Sequence, residues 1–199
     1  EAELKLYMSE RSGNAYKPRV LLEMLKVPYE KVMVDSGKKE NKTEAFLKIN
    51  PRGEIPALED GGKVFWDSTA CLVYIARKHG GDRWLPGDPA GMAEVMQWMA
   101  LAQNEIRYGL QIGRGNLRGS RKWGNLAELQ EHGRAGLKVM EGRLKGHAWL
   151  ALDRPTIADL ACYPYVHTAP EAGVPLEDYP AVTAWIGRLE ALPGWIKRQ

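Results

Sequence analysis

Cysteine is scarce in this 199-residue chain, with only Cys71 and Cys162 present. They lie far apart and form no C-x-x-C pair, so the sequence offers neither a zinc site nor a dithiol redox centre. A reducing cytosolic compartment suits that usage. Charge of one sign is also lacking. Residues 1–80 carry 14 basic and 12 acidic groups, and the remainder 14 and 13. Neither part has the one-sided field that nucleic acid or an anionic membrane would favour. No apolar run approaches 18 residues, and residues 1–7 lack a basic-then-apolar leader pattern. The four histidines, at 79, 132, 147 and 167, are scattered, so no metal site is expected. There is no G-x-S-x-G, which argues against a hydrolase elbow. The expectation is a soluble, cytoplasmic protein with no nucleic-acid or membrane partner.

What is present has clear periodicity. Leu4–Tyr7 alternates as a short strand, and Ser12-Gly13-Asn14 then turns the chain. Val20, Leu21, Met24 and Leu25 mark one face of a helix, in which Pro18 is expected within the first turn. Tyr29–Val34 reads as a second strand, Lys38–Lys42 as a charged loop and Thr43–Ile49 as a short helix. Gly61-Gly62 is a two-residue hairpin signal between Ala57–Glu59 and Lys63–Trp66. Asp67-Ser68 can cap the helix that follows. The order β-α-β-α-β-β-α fills residues 1–80. A Gly/Pro-rich linker is expected over 81–91 and an all-helical domain over 92–199. There Thr156-Ile157-Ala158-Asp159 forms a capping pattern. Leu126 to Leu144, and Val182 to Leu189, keep helical spacing.

Three places could carry chemistry. Ser12 and Asn14 follow a strand at a helix N-terminus, an end that favours anions and thiolates; the same residues could simply turn the chain. Ile55-Pro56 lies between a polar loop and an apolar strand. If cis, it would turn the Ile55 backbone outward to pair with a peptide-like ligand; if trans, it merely begins the strand. Asp67-Ser68 is fully explained as a helix cap, yet the same pair could hold the ammonium and carboxylate of a zwitterionic amino acid.

Taken in order, these segments resemble the cytosolic glutathione S-transferase superfamily over nearly the whole chain. Leu6-Tyr7, then Ser12 with Gly13-Asn14-Ala15-Tyr16-Lys17, is similar to its serine-type bacterial, theta-, delta- and nu-like members. Asn50-Pro51-x-Gly53-x-Ile55-Pro56-x-Leu58 resembles the family's cis-proline loop, and Asp67-Ser68 its acidic-Ser pair. Thr156–Asp159 resembles its capping box, and Tyr179-Pro180-Ala181-Val182-x-x-Trp185 its penultimate helix. The resemblance implies a thioredoxin-like α/β domain followed by an all-α domain, glutathione as co-substrate without a metal, and a homodimer.

By the same resemblance Ser12, aided by Asn14, would stabilise the glutathione thiolate. Ile55, with Pro56 cis, would bond the cysteinyl backbone, and Asp67 and Ser68 would hold the γ-glutamyl group. Glu54 stands at a position usually polar in relatives. Where many relatives have a histidine toward the glycyl carboxylate, this chain has Asn41, with Lys38 and Lys39 nearby. The electrophile would be received by Gln103, Arg107 and Tyr108, with Arg11 or Tyr16, in a pocket between the domains. The basic stretch Arg114, Arg118, Arg121, Lys122 beside Trp123 reads as a solvated loop, or as a receiver of anionic substrates. Conjugation to small electrophiles leads. A glutathione-dependent disulfide reductase, an isomerase or dehalogenase, and a non-catalytic interaction module are the alternatives. With no cysteine in the active-site loop, a glutaredoxin-like covalent mechanism is excluded.

Overall fold

Alternation in Leu4–Met8 sends Leu4, Leu6 and Met8 into the core and leaves Lys5 and Tyr7 on the opposite face of strand β1. In the computed structural model, which describes residues 4–120 and 123–198, β1 is the hub of a four-stranded mixed sheet. The sheet order is β2-β1-β3-β4, with β2 spanning Glu30–Met33, β3 Ala57–Asp60 and β4 Lys63–Trp66. β2 runs parallel to β1, while β3 and β4 are antiparallel to their neighbours. Gly61 and Gly62 both have positive φ, 55° and 80°, which a two-residue hairpin turn requires. Helices α1 (Gly13–Met24) and α3 (Ser68–His79) pack together and bury Val20, Leu21, Leu72 and Ile75. The short helix α2 (Glu44–Ile49) is capped by Thr43, and its Phe46 lies edge-on to Tyr7, the rings 6.1 Å apart.

The chain divides into two units, Glu1–Asp82 with Pro193–Gln199, and Arg83–Leu192. This corrects the expected boundaries at two points. Pro89–Gly91, read as linker, is the first turn of α4 (Pro89–Leu101), with Asp88 accepting a hydrogen bond from the Gly91 N–H at 2.8 Å. Proline at the first helical position after an Asp cap is pre-organised to begin a helix rather than to break one. The segment from Pro193 onward, read as part of the helical domain, instead groups with the first unit. There the Tyr16 hydroxyl donates to the Ile196 carbonyl at 2.7 Å, and Trp195 meets the Tyr16 ring edge-on.

Pro18 is also displaced from its expected place. It is the sixth residue of α1, beyond the first turn, and is buried. Its missing N–H leaves the Asn14 carbonyl without the donor that an i+4 residue would supply. Packing of α1 against α3 offsets that loss, and residue propensity alone gives no warning of it.

In the second unit α4 continues without a break into a π-helical stretch, Ala102–Ile112, and then α5 (Gly113–Leu117). Helix α6 (Leu126–Leu144) crosses the π-helical stretch at glycines on both sides. A Cβ added at Gly109 would lie 2.1 Å from the Gly133 backbone nitrogen, so nothing larger fits. Gly109→Ala is expected to destabilise the protein by about 3 kcal/mol, the upper end for overpacking, because backbone rather than a flexible side chain must move. A thermal melt unchanged from wild type would refute the close crossing.

Helices α7 (Ile157–His167) and α8 (Pro180–Glu190) complete the unit. The capping box at Thr156 is formed, and Asp159 also binds the Trp185 indole of α8. Of the basic stretch, Arg114 and Arg118 both pair with Glu171, at 2.6 and 2.5 Å, while Trp123 is exposed. Arg121 and Lys122 lie outside the described residues. No helix among the described residues is long and apolar enough to cross a membrane.

Candidate functional site

Strand register assembles the site. Tyr7 pairs with Ala57, and Ala57 with Trp66, so the exit of β1, the entry to β3 and the exit of β4 meet at one end of the sheet. The parallel pairing of Met8 with Met33 brings the loop after β2 to the same end. The segments carrying Ser12, Ile55-Pro56, Asp67-Ser68 and Lys39–Asn41 are therefore neighbours in space although dispersed in sequence.

Ser12 is the N-cap of α1. Its Oγ accepts the Ala15 N–H at 3.1 Å, and its backbone carbonyl accepts the Tyr16 N–H. A hydroxyl has one proton and two lone pairs, so the cap bond leaves the proton available. Among the described residues that proton meets no protein acceptor. Asn14 is half-buried in the first turn, where N–H groups and the helix dipole together favour negative charge. Arg11 is exposed in the turn before Ser12.

Ile55-Pro56 is cis, and no hydrogen bond of the Ile55 backbone occurs among the described residues. The preceding loop is held by its own asparagine, Asn50 being buried and donating to the Glu54 carbonyl at 2.7 Å. Gly53 is needed twice over. Its φ is +59°, and a Cβ there would meet the Asn41 carbonyl oxygen at 2.7 Å.

Asp67 has a φ of +78°, rare for a non-glycine residue, and its Oδ1 accepts from the Thr69 N–H at 2.9 Å to cap α3. Backbone held in this region marks a place where surrounding structure over-determines the conformation. Ser68, the next residue, is buried at the helix N-terminus. One turn on, Cys71 is fully buried. Burial, with a contribution from Asp67, pushes its thiol up to about 12, so it remains protonated and inert near neutral pH.

Two of the expected residues are engaged within the protein. Asn41 Nδ2 donates to the Gly53 carbonyl at 2.7 Å and its Oδ1 is buried. It clips the loop after β2 to the proline loop, while Lys39, in left-handed backbone at φ 59°, is exposed beside it. Tyr16 is not open to an electrophile, being 2% exposed with its hydroxyl committed to Ile196. Gln103, Arg107 and Tyr108 lie on the π-helical stretch of the second unit. Tyr108 is part-exposed, with the Arg107 guanidinium 5.4 Å from its ring centre and His132 edge-on.

One residue escaped the sequence reading. Arg52 places its guanidinium 3.1 Å from Asp67 Oδ2 and 3.2 Å from Glu54 Oε2, 6.0 Å from the centre of the Trp66 ring. Only its place in the Asn50–Leu58 segment, at a position the pattern leaves open, could have pointed to it. Among the described residues no group of three or more His, Cys, Asp or Glu side chains is placed to hold a metal ion.

Comparison with known proteins identifies this arrangement. Residues 2–77 match the glutathione S-transferase N-terminal domain and residues 120–193 the glutathione S-transferase C-terminal domain. The chain belongs to the glutathione S-transferase family. It is 31% identical to glutathione S-transferase verG of Clonostachys rogersoniana, over 96% of this chain and 84% of that one. It is also 31% identical to a maleylpyruvate isomerase of a Ralstonia species, covering 94% of each chain. A possible glutathione S-transferase from Rhodopseudomonas palustris superimposes with a TM-score of 0.91 at 37% identity, over 98% of both chains. The first unit thus has the glutathione S-transferase family's thioredoxin-like fold, and the second its helical fold.

Proposed function

We propose that this glutathione S-transferase conjugates glutathione to small electrophiles, with the Ser12 hydroxyl donating a hydrogen bond to the substrate thiolate. The supporting observation is the Ser12 cap itself. Its oxygen is anchored by the Ala15 N–H and its proton remains to be given, at the sheet end where the Ile55 backbone and the Asp67-Ser68 pair converge. A free thiol of pKa near 8.5 is only a few per cent ionised at pH 7. One hydrogen bond to a charged group contributes about 1.5–3 kcal/mol, which lowers the thiol pKa by roughly 1–2 units. The α1 dipole adds about 0.3–1 kcal/mol. The thiolate then becomes a major species near neutral pH, and holding an electrophile beside it completes the catalysis.

In this reading Ile55 pairs with the cysteinyl backbone, Asp67 and Ser68 take the γ-glutamyl ammonium and carboxylate, and Lys39 serves the glycyl end. Asn14 supports the anion at the α1 terminus. Selection among electrophiles is assigned to Arg11, Gln103, Arg107 and Tyr108. Isomerisation is the second reading, favoured by the likeness to a maleylpyruvate isomerase. Assembly as a homodimer in the cytoplasm is proposed as well, with part-exposed Val64 and Trp66 on the edge strand β4 in keeping with a covered surface.

Calorimetric titration with glutathione, run beside chloronitrobenzene conjugation and disulfide-reduction assays, tests the proposal. Binding with conjugation supports it, binding with disulfide reduction alone moves the chain to the reductase reading, and no binding at millimolar glutathione rejects it. Asp67→Ala is expected to weaken glutathione binding about tenfold or more by removing a charged partner, with turnover at saturation little altered. Unchanged affinity would remove Asp67 from the site.

A further inference from the structure

Arg52 stands at the end of the site where the zwitterionic γ-glutamyl group is to be held, and this inference rests on that assignment. Its guanidinium joins two carboxylates, Asp67 Oδ2 at 3.1 Å and Glu54 Oε2 at 3.2 Å. The backbone on both sides of the guanidinium is fixed. The Arg52 N–H donates to Asn50 Oδ1 at 3.0 Å, and the Arg52 carbonyl accepts from Lys42 Nζ at 3.2 Å. Asp67 is held by its cap bond to Thr69. The cation is therefore presented by an anchored loop to an anchored acid.

Charge decides what that cation does when ligand arrives. The α-amino acid end of glutathione brings one ammonium and one carboxylate. Without Arg52, two protein carboxylates and the ligand's own would face a single ammonium. With Arg52 the ligand ammonium can take Asp67 while the guanidinium, already within reach of Asp67, turns a face to the ligand carboxylate. Ser68, at the N-terminus of α3, offers only neutral donors to that carboxylate. A planar guanidinium can bind two carboxylates at once through separate N–H pairs, which a lysine ammonium does less well.

We propose that Arg52 is a specificity-determining residue of the glutathione site, pairing with the γ-glutamyl α-carboxylate and so selecting tripeptides that carry it.

The test compares two ligands on three proteins. The ligands are glutathione and 4-aminobutyryl-Cys-Gly, which lacks only the α-carboxylate. The proteins are wild type, Arg52→Met, which keeps an apolar stem beside Trp66, and Arg52→Lys. Calorimetry gives each dissociation constant, and melting curves establish that each variant is folded. Arg52→Met is expected to weaken glutathione binding about ten- to a hundredfold, the range for losing a charged hydrogen bond. The same variant should change binding of the decarboxylated tripeptide by less than about threefold, and Arg52→Lys should recover part of the glutathione affinity. Equal loss for both ligands would reduce Arg52 to a support for Asp67 and overturn the proposal. Unchanged or tighter glutathione binding by Arg52→Met would overturn it as well, showing that the guanidinium only competes with the ammonium. Failure of wild type to bind glutathione would instead reject the site assignment beneath it.

Discussion

Replacing Ser12 by alanine will cut conjugation at pH 7 by about ten- to a hundredfold while leaving glutathione affinity within several-fold of wild type. The hydroxyl bonds the charged form of the thiol and does little for the neutral form. Its loss therefore raises the bound thiol's pKa by roughly 1–2 units. The defect should close as pH rises toward 9, where solvent ionises the thiol without help. The rate profile of the variant is thus displaced to higher pH, and thiolate absorbance near 240 nm should follow the same displacement. Ser12→Thr, which keeps a hydroxyl and a cap, should behave much like wild type. Alanine also removes the cap bond to Ala15, a loss of about 1 kcal/mol of stability that melting will show separately. A rate lowered equally at every pH, or affinity and rate falling together, would contradict the thiolate-stabilising role.

The second large effect concerns the fold. Asp159 is wholly buried, and its carboxylate accepts hydrogen bonds from the Thr156 N–H at 2.9 Å, the Leu150 N–H at 3.1 Å and the Trp185 indole at 2.8 Å. Three segments of the helical unit meet on this one group. Asp159→Ala would leave three buried donors unpaired, each at about 1–3 kcal/mol, against a total stability of roughly 5–15 kcal/mol. The expected result is a melting temperature lower by roughly 10–20 °C, or failure to accumulate folded protein. A fall of only a few degrees would mean that water or rearrangement replaces the carboxylate.

Titration of Asp159 has a defined sign. Burial pushes its carboxyl up to about 6, outweighing the N–H donors, which pull it down. The unfolded value lies near 3.9, so between about 4 and 6 the native state binds the proton more readily. The group's contribution to stability is full below about pH 3.9 and is lost as pH rises through about 6. Asp159→Asn has no such titration. The gap in melting temperature between wild type and this variant should widen on going from pH 7 to pH 5. A gap that narrows would show that the hydrogen bonds outweigh burial.

Local chemistry was legible mostly where it depends on residues close in sequence. The Gly61-Gly62 turn, the cap at Asp67 and the Thr156–Asp159 box each follow from a few adjacent side chains and backbone donors, whereas the caps made by Ser12 and Thr43 emerge only in the structure. The β-α-β-α-β-β-α order was legible too, because periods of 2 and 3.6 residues differ over even short spans.

What the sequence left unread has another origin. Buried Pro18 sits deep in α1 because packing overrides propensity. The π-helical stretch has no sequence pattern of its own, since an i+5 ladder changes bonding without changing which residues look apolar. Asn41 and Tyr16 carry suitable groups, but those groups are committed to the Gly53 and Ile196 carbonyls, partners 12 and 180 residues away.

By itself, then, the sequence determined the β-α-β-α-β-β-α order, the Gly61-Gly62 turn, the caps at Asp67 and Thr156, and the residue types available for binding an anionic thiol and a zwitterion. Tertiary structure alone decided which of those residues meet. The pairing of Tyr7 with Ala57 and Ala57 with Trp66 brings Ser12, Ile55 and Asp67 to one end of the sheet, and the same convergence sets Arg52 between Glu54 and Asp67. The physical reason is range. Caps and turns are set by bonds between near neighbours, whereas register and ion-pair choice emerge only when distant segments compete for the same buried surface and the same few charges.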